Sequence, residues 1–253
     1  QALELDLVDP KTKINTKGPI RIGGHKINDY RNNGPELPVW QVITESSNLG
    51  TARIAKLIGP EKQREFLSSL GFTKPTSIEM IEASGGKPLL PKRWNELETM
   101  TISYGHGLSA TPLHLATGYA ALANGGRLVK PTLLERKKIE LGPQVISKEV
   151  AENSLAMLRG VVTEGTASLA DVKGYFVAGK TGTADKPSAQ GGYDKEKNIT
   201  NFASIFPIHE PKYVLVVTLD EAQDTSGPEP KRTAGWTAVP VSAEIIARVA
   251  PLL

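Results

Sequence analysis

The sequence predicts an α/β chain of the α+β type, an antiparallel sheet flanked by helices, and three observations predict it. Apolar residues recur at spacings of three and four in several stretches before about residue 162. After it the period shortens, and YFVAGKTGTA (175–184), NFASIFP (201–207) and KYVLVVTLDE (212–221) are β-branched and aromatic segments of strand length. The chain then closes on VPVSAEIIARVAPLL (239–253), whose Val241, Ile245, Ile246, Val249 and Leu253 make an apolar stripe suited to lying across that sheet.

Residues 1 to about 40 are rich in Pro, Gly, Asn and Lys and predict turns and short strands, a connecting lobe with little core of its own. From Ser46 the pattern is helical: Leu49, Ala52, Ile54, Ala55, Leu57 and Ile58 share a face, Ser46, Ser47 or Asn48 can cap it, and Gly59-Pro60 ends it. A second helix runs from Glu61 to Leu70 and stops at Gly71. In ATPLHLATGYAALANGG (110–126), Thr111 caps a third, with Pro112 in its first turn and Gly125 beyond its end. Ser147 can cap a fourth through about Val162, with Val150, Leu155, Met157, Leu158 and Val161 on its buried side. The last two strand segments are joined by the turn IHEP (208–211) and read as antiparallel neighbours.

With 253 residues and 39% hydrophobic content, the chain has room for one large domain or two small ones. Thirty basic and 27 acidic residues leave a charge of +3, dispersed through mixed runs such as ERKK (135–138), which argues against a nucleic-acid partner. There is no cysteine, so neither a disulfide frame nor a thiolate metal site is available, and cytosol and periplasm fit equally. The four histidines, His25, His106, His114 and His209, lack paired ligand spacing, so no metal is expected. The longest apolar runs, such as YVLVVTL (213–219), are too short to span a bilayer, and a chain opening on Gln1 is expected to have an upstream piece.

Two short stretches carry chemistry. If Lys180-Thr181-Gly182-Thr183 is strand, alternation sends Thr181 and Thr183 to one side and Lys180 to the other. Such an edge can take an extended substrate as an added strand, two hydroxyls reading an anionic end and the lysine adding positive potential. The plainer reading is a solvated strand end. Ser46 and Asn48, at a helix start, can project into one cleft, a hydroxyl to relay a proton and an amide to grip a peptide group. Alone, Ser-x-Asn arises about once by chance in a chain of this size, and helix capping is the stronger reading.

Together, in this order and 132 residues apart, Asn48 to Lys180, the two stretches match the second and third signatures of penicillin-binding proteins and serine β-lactamases. TISYGHGLSATPLHLATGYAALANGG (101–126) and EGTA (164–167) resemble class B penicillin-binding proteins, and ITESSNLGTARIA (43–55) resembles their cell-division (septal) branch, the peptidoglycan D,D-transpeptidases. The resemblance implies the β-lactamase/penicillin-binding-protein transpeptidase fold and a serine acyl-enzyme that exchanges a terminal D-alanine for another strand's amine. It implies roles residue by residue. Ser46 relays the proton to the leaving nitrogen, Asn48 binds the substrate amide, and Lys180 holds Ser46 and favours negative charge. Thr181, Gly182 and Thr183 form the substrate-binding strand, the two threonine hydroxyls taking the terminal carboxylate and the Thr183 N–H supplying half an oxyanion hole.

It implies no cofactor or metal. As partners it implies peptidoglycan stem peptides, β-lactam antibiotics and division-machinery proteins including a lipid II glycosyltransferase. As location it implies the periplasmic side of a single-pass inner-membrane protein. One motif departs. The family's Ser-x-x-Lys, which carries the nucleophile and precedes Ser-x-Asn, is found here only at Ser84 to Lys87, after Ser46 and in a Gly and Pro stretch unfit for a helix. Residues 1–253 are therefore expected to be the C-terminal majority of the domain, with that motif upstream, inactive alone and needing a complementary N-terminal segment. A serine β-lactamase or D,D-carboxypeptidase, and a non-catalytic peptidoglycan- or divisome-binding module, are the rival readings. The long interval between motifs and SYGHGLSATPLHLA (103–116) favour the transpeptidase.

Overall fold

The hydrophobic periods take shape in a computed structural model that describes residues 1–138, 140–188 and 192–252. The chain divides into two compact units, Gln1–Met157 and Leu158–Leu253. Four three-residue strands open the first: β1 (Lys13–Asn15), β2 (Ile20–Ile22), β3 (His25–Ile27) and β4 (Glu36–Pro38). β1 pairs antiparallel with β4, and β2 with β3.

Contrary to expectation, this lobe has a core. Ala2, Val8, Ile14 and Leu37 are buried together with Val39 and Val42, and Leu3, Ile54, Ile58 and Met157 pack against them. The composition hid it because β1 and β4 each bury one residue, Ile14 and Leu37, so no alternating run is long enough to read.

A helix that the pattern did not announce, α1 (Val39–Thr44), follows at once. Six residues are too few to show a 3.6-residue repeat. Then α2 (Asn48–Ile58) buries Leu49, Ala52 and Ala55. Leu57, placed on that face from sequence, is exposed. α3 (Pro60–Ser69) begins on its proline, and Gly71 beyond it takes a φ of 87°. α4 (Glu96–Ser103) was also missed, although Asn95 and Glu98 close a capping box at its start.

α5 (Pro112–Ala123) is capped by Thr111 as expected, with the buried His114 ring answering at its Nδ1. His114 Nε2 donates to Lys74 O at 2.7 Å, so this histidine is spent on structure. β5 (Arg127–Val129) and β6 (Leu141–Gln144) pair antiparallel ahead of α6 (Lys148–Thr163). Ser147 Oγ accepts from the Val150 N–H at 3.2 Å, and Ala151, Leu155, Leu158, Val161 and Val162 are buried along the helix, while Val150 and Met157 are half-buried.

In the second unit β7 (Ala178–Pro187), β8 (Tyr193–Phe206) and β9 (Tyr213–Asp220) form an antiparallel sheet in that order. The strand expected from Tyr175 starts later because Phe176 takes a φ of 42° and breaks the extended path. α7 (Ala238–Val249) packs on β8 and β9, but through Ala238, Val239, Ser242 and Ile246. Of the predicted stripe, Ile246 is buried, Ile245 and Val249 are half-buried, Val241 is exposed and Leu253 lies outside the described residues. The packed face runs through a serine whose hydroxyl bonds Ala238 O at 2.7 Å, so a polar residue masked it.

The passage from α1 to α2 takes three residues. Ser46 has a φ of 58°; its N–H donates to Ile43 O at 3.2 Å, and the Ser47 N–H donates to Val42 O at 2.9 Å. This pair of bonds closes a helix on a left-handed residue, a place that favours glycine. Ser47 then caps α2, accepting from the Gly50 N–H at 3.0 Å. A Cβ on Gly50 would lie 2.7 and 2.8 Å from the Val42 methyls, so glycine is what lets the two helices meet. A side chain in the left-handed region costs on the order of 1 kcal/mol. Ser46→Gly is therefore expected to stabilise this chain by about 1 kcal/mol, seen as a higher urea midpoint at unchanged slope; a lower midpoint would show that the Ser46 hydroxyl supports the fold.

Candidate active site

Ser46 is exposed and Asn48 half-buried, with Ser47 fully buried between them. The capping reading and the chemical reading are thus divided among neighbours: Ser47 is the cap, and Ser46 and Asn48 are left outside that task. Asn48 Nδ2 donates to Asn28 O at 3.0 Å. A carbonyl can only accept, so the orientation of the amide is fixed, and Oδ1 with the second N–H remains to meet a peptide group. Asp29 braces the same turn. Its carboxylate accepts from Ser47 Oγ at 2.7 Å and from the Leu49 N–H at 2.9 Å.

The second unit bears Lys180 to Thr183 on β7, paired with β8 through Lys180↔Ala203, Thr181↔Phe202, Gly182↔Asn201 and Thr183↔Thr200. Among the described residues β7 has no strand on its other side, so it is an edge strand. Thr181 Oγ1 lies 2.7 Å from Thr166 Oγ1, and Thr183 Oγ1 accepts from the Ala234 N–H at 3.0 Å. A hydroxyl that accepts keeps its proton to give, so Thr183 is set as a donor toward an anion.

Gly182 lets β7 fit closely against β8. Its face is covered: a Cβ would lie 2.7 Å from Asn201 Oδ1. Lys180 Nζ approaches Thr181 O at 3.2 Å and Thr181 Oγ1 at 3.5 Å. The residue as a whole is half-buried, but its ammonium is closed in by protein, and this loss of water pushes the amine down to about 8. At neutral pH it is still mostly charged.

Ser84 is exposed on a short 3₁₀ turn, Ile81–Gly85, and donates to Ile81 O at 2.9 Å; no α-helix carries it toward Lys87. A cavity of about 460 Å³ beside Leu219, Trp236 and Val241 includes none of the candidate residues. Sequence reasoning missed Asn28, Asp29 and Ala234 as supports. Thr166 lay within the quoted EGTA without a role, whereas Asn28 and Asp29 sit in a polar run, INDYRNN (27–33), with nothing to single them out.

The family described as penicillin binding protein transpeptidase domain matches residues 1–246. A probable peptidoglycan D,D-transpeptidase FtsI of Caulobacter vibrioides is 30% identical over 99% of this chain and 44% of its own length. The apo transpeptidase domain of Burkholderia pseudomallei penicillin-binding protein 3 superimposes with a TM-score of 0.88 at 34% identity, covering 99% of this chain and 75% of that one. Penicillin-binding protein 3 of Mycobacterium tuberculosis, solved with ampicillin, gives 0.84 at 27% identity, covering 99% and 59%. The chain spans less than half the length of the Caulobacter relative. With this match across the sequence and fold, and with both motifs placed at a helix start and on an edge strand, the chain belongs to the penicillin-binding protein transpeptidase family.

Proposed function

We propose that this chain is the C-terminal majority of a septal peptidoglycan D,D-transpeptidase domain, in which Ser46, Asn48 and Lys180 to Thr183 serve one reaction. The observation that carries this reading is β7, the end strand of its sheet, which bears a desolvated ammonium and two hydroxyls held by Thr166 and the Ala234 N–H.

A stem peptide laid along β7 brings its terminal carboxylate to the Thr181 and Thr183 hydroxyls, and the Asn48 amide is the group assigned to a peptide bond of the substrate. A serine of the Ser-x-x-Lys motif, outside residues 1–253, attacks the penultimate carbonyl. The carbon–nitrogen bond to the last D-alanine breaks, and the serine's proton reaches the leaving nitrogen by way of Ser46. The amine of a second peptide then takes the acyl group and returns a proton to the serine. The Thr183 N–H stabilises the oxyanion in both steps, and a single such donor is worth a hundredfold to a thousandfold in rate. β-Lactams enter as mimics of the same peptide end, in keeping with the ampicillin complex of the Mycobacterium tuberculosis relative. The whole protein is placed at the periplasmic face of the inner membrane among division proteins.

A fluorescent penicillin is expected to label the full-length parent stably and to leave residues 1–253 unlabelled. Labelling of the fragment at any serine overturns the placement of the nucleophile; rapid turnover of the drug by the parent makes it a β-lactamase; no labelling of the parent makes it a binding module. A pH prediction follows from Lys180. Its charged form is the useful one and its amine sits at about 8, so acylation of the parent is expected to hold below pH 8 and to fall as pH rises through that value. In Lys180→Arg, whose guanidinium stays charged, that fall is expected to vanish from the rate-against-pH profile.

A further inference from the structure

We infer that Asp29 is a positioning residue for the Ser46-x-Asn48 motif, acting from outside the helix that bears it. The inference rests on the reading of Asn48 as a peptide-binding group.

Asp29 lies in the loop between β3 and β4, 20 residues ahead of Leu49, yet both of its oxygens are committed to the first turn of α2. One takes the Ser47 hydroxyl and the other the Leu49 N–H, so the residues on either side of Asn48 are anchored to one carboxylate. Its neighbour Asn28 holds the Asn48 side chain itself. Backbone and amide are thus fixed by two consecutive residues of a loop that no regular element requires.

The charge has a reason as well. A carboxylate at a helix start meets unpaired N–H groups and the positive end of the helix dipole, and bonds to an ionised acceptor are the stronger kind. Ser47 could cap α2 without Asp29, because its bond to the Gly50 N–H uses its oxygen and not its proton. What Asp29 adds is direction. By taking that proton, it sets the rotation of the hydroxyl and the angle at which α2 presents Asn48.

The test uses the full-length protein and two probes, benzylpenicillin, which carries a side-chain amide for Asn48 to grip, and 6-aminopenicillanic acid, which lacks it. Asp29→Ala is expected to slow acylation by benzylpenicillin about a hundredfold, as misplacement of a binding group does, and acylation by 6-aminopenicillanic acid much less. Asp29→Asn, which keeps an acceptor but not the charge, is expected to lose about tenfold and carries the test if the alanine variant does not fold. In a double-mutant cycle the losses from Asp29→Asn and Asn48→Ala should not add. Equal loss on both probes, no loss, or full additivity overturns the positioning role. If Asn48→Ala itself fails to discriminate between the probes, the reading of Asn48 is what falls.

Discussion

Ser46, Ser47 and Asn48 have to end one helix, begin the next, and leave a hydroxyl and an amide at the surface. The backbone solves the first two demands with a left-handed Ser46 and a buried Ser47. The third follows from the geometry: a turn this tight sends alternate side chains apart, so the cap points inward while its neighbours point out. Everything else around the turn defends that arrangement. Gly50 lets Val42 approach, Asp29 ties Ser47 and Leu49, and the core of Ile14, Leu37, Val39 and Val42 fixes α1 from below. The opening lobe is therefore the foundation of the motif rather than a connector.

β7 achieves a comparable result by other means. A strand cannot lock its side chains by capping, so its hydroxyls are held from the flank, Thr181 by Thr166 and Thr183 by the Ala234 N–H. Both supports stand on segments outside the sheet in sequence, Thr166 before it and Ala234 after it. Gly235 meets Thr166 as well, since a Cβ there would lie 2.8 Å from Thr166 O. The threonines and their supports thus form one packed patch in which a change at Gly235 reaches Thr181 through Thr166.

The residues proposed to bear the chemistry stand out in the sequence because they are short fixed patterns of polar residues. The long helices were legible because eleven or more residues display their period, as in α2, α5 and α6. What escaped was either too short or masked. α1 spans less than two turns, and β1 and β4 bury one residue each. α7 buries Ser242, so the apolar residues alone traced a stripe rotated from the packed one. α4 is the instructive miss, for Asn95 three residues ahead of Glu98 is a capping signature readable in advance. Asp29 could not have been found, because a bond made 18 and 20 residues away leaves no trace in spacing.

The glycines sharpen the case for Ser46. At Gly50, Gly182 and Gly235 a side chain would collide with a neighbour, and glycine is there. At Gly71 and Gly125, with φ of 87° and 61°, the backbone ends a helix left-handed, and glycine is there too. Ser46 closes α1 in the same conformation, but the residue is a serine, exposed, next to a buried serine that does the capping. Glycine does not fill every left-handed position, since Asp6, Phe176 and Glu221 also take positive φ, at 50°, 42° and 54°, but Ser46 is the one set at the junction of α1 and α2. Strain of that kind persists when the group is needed for something other than stability. The proton relay proposed for Ser46 is such a need.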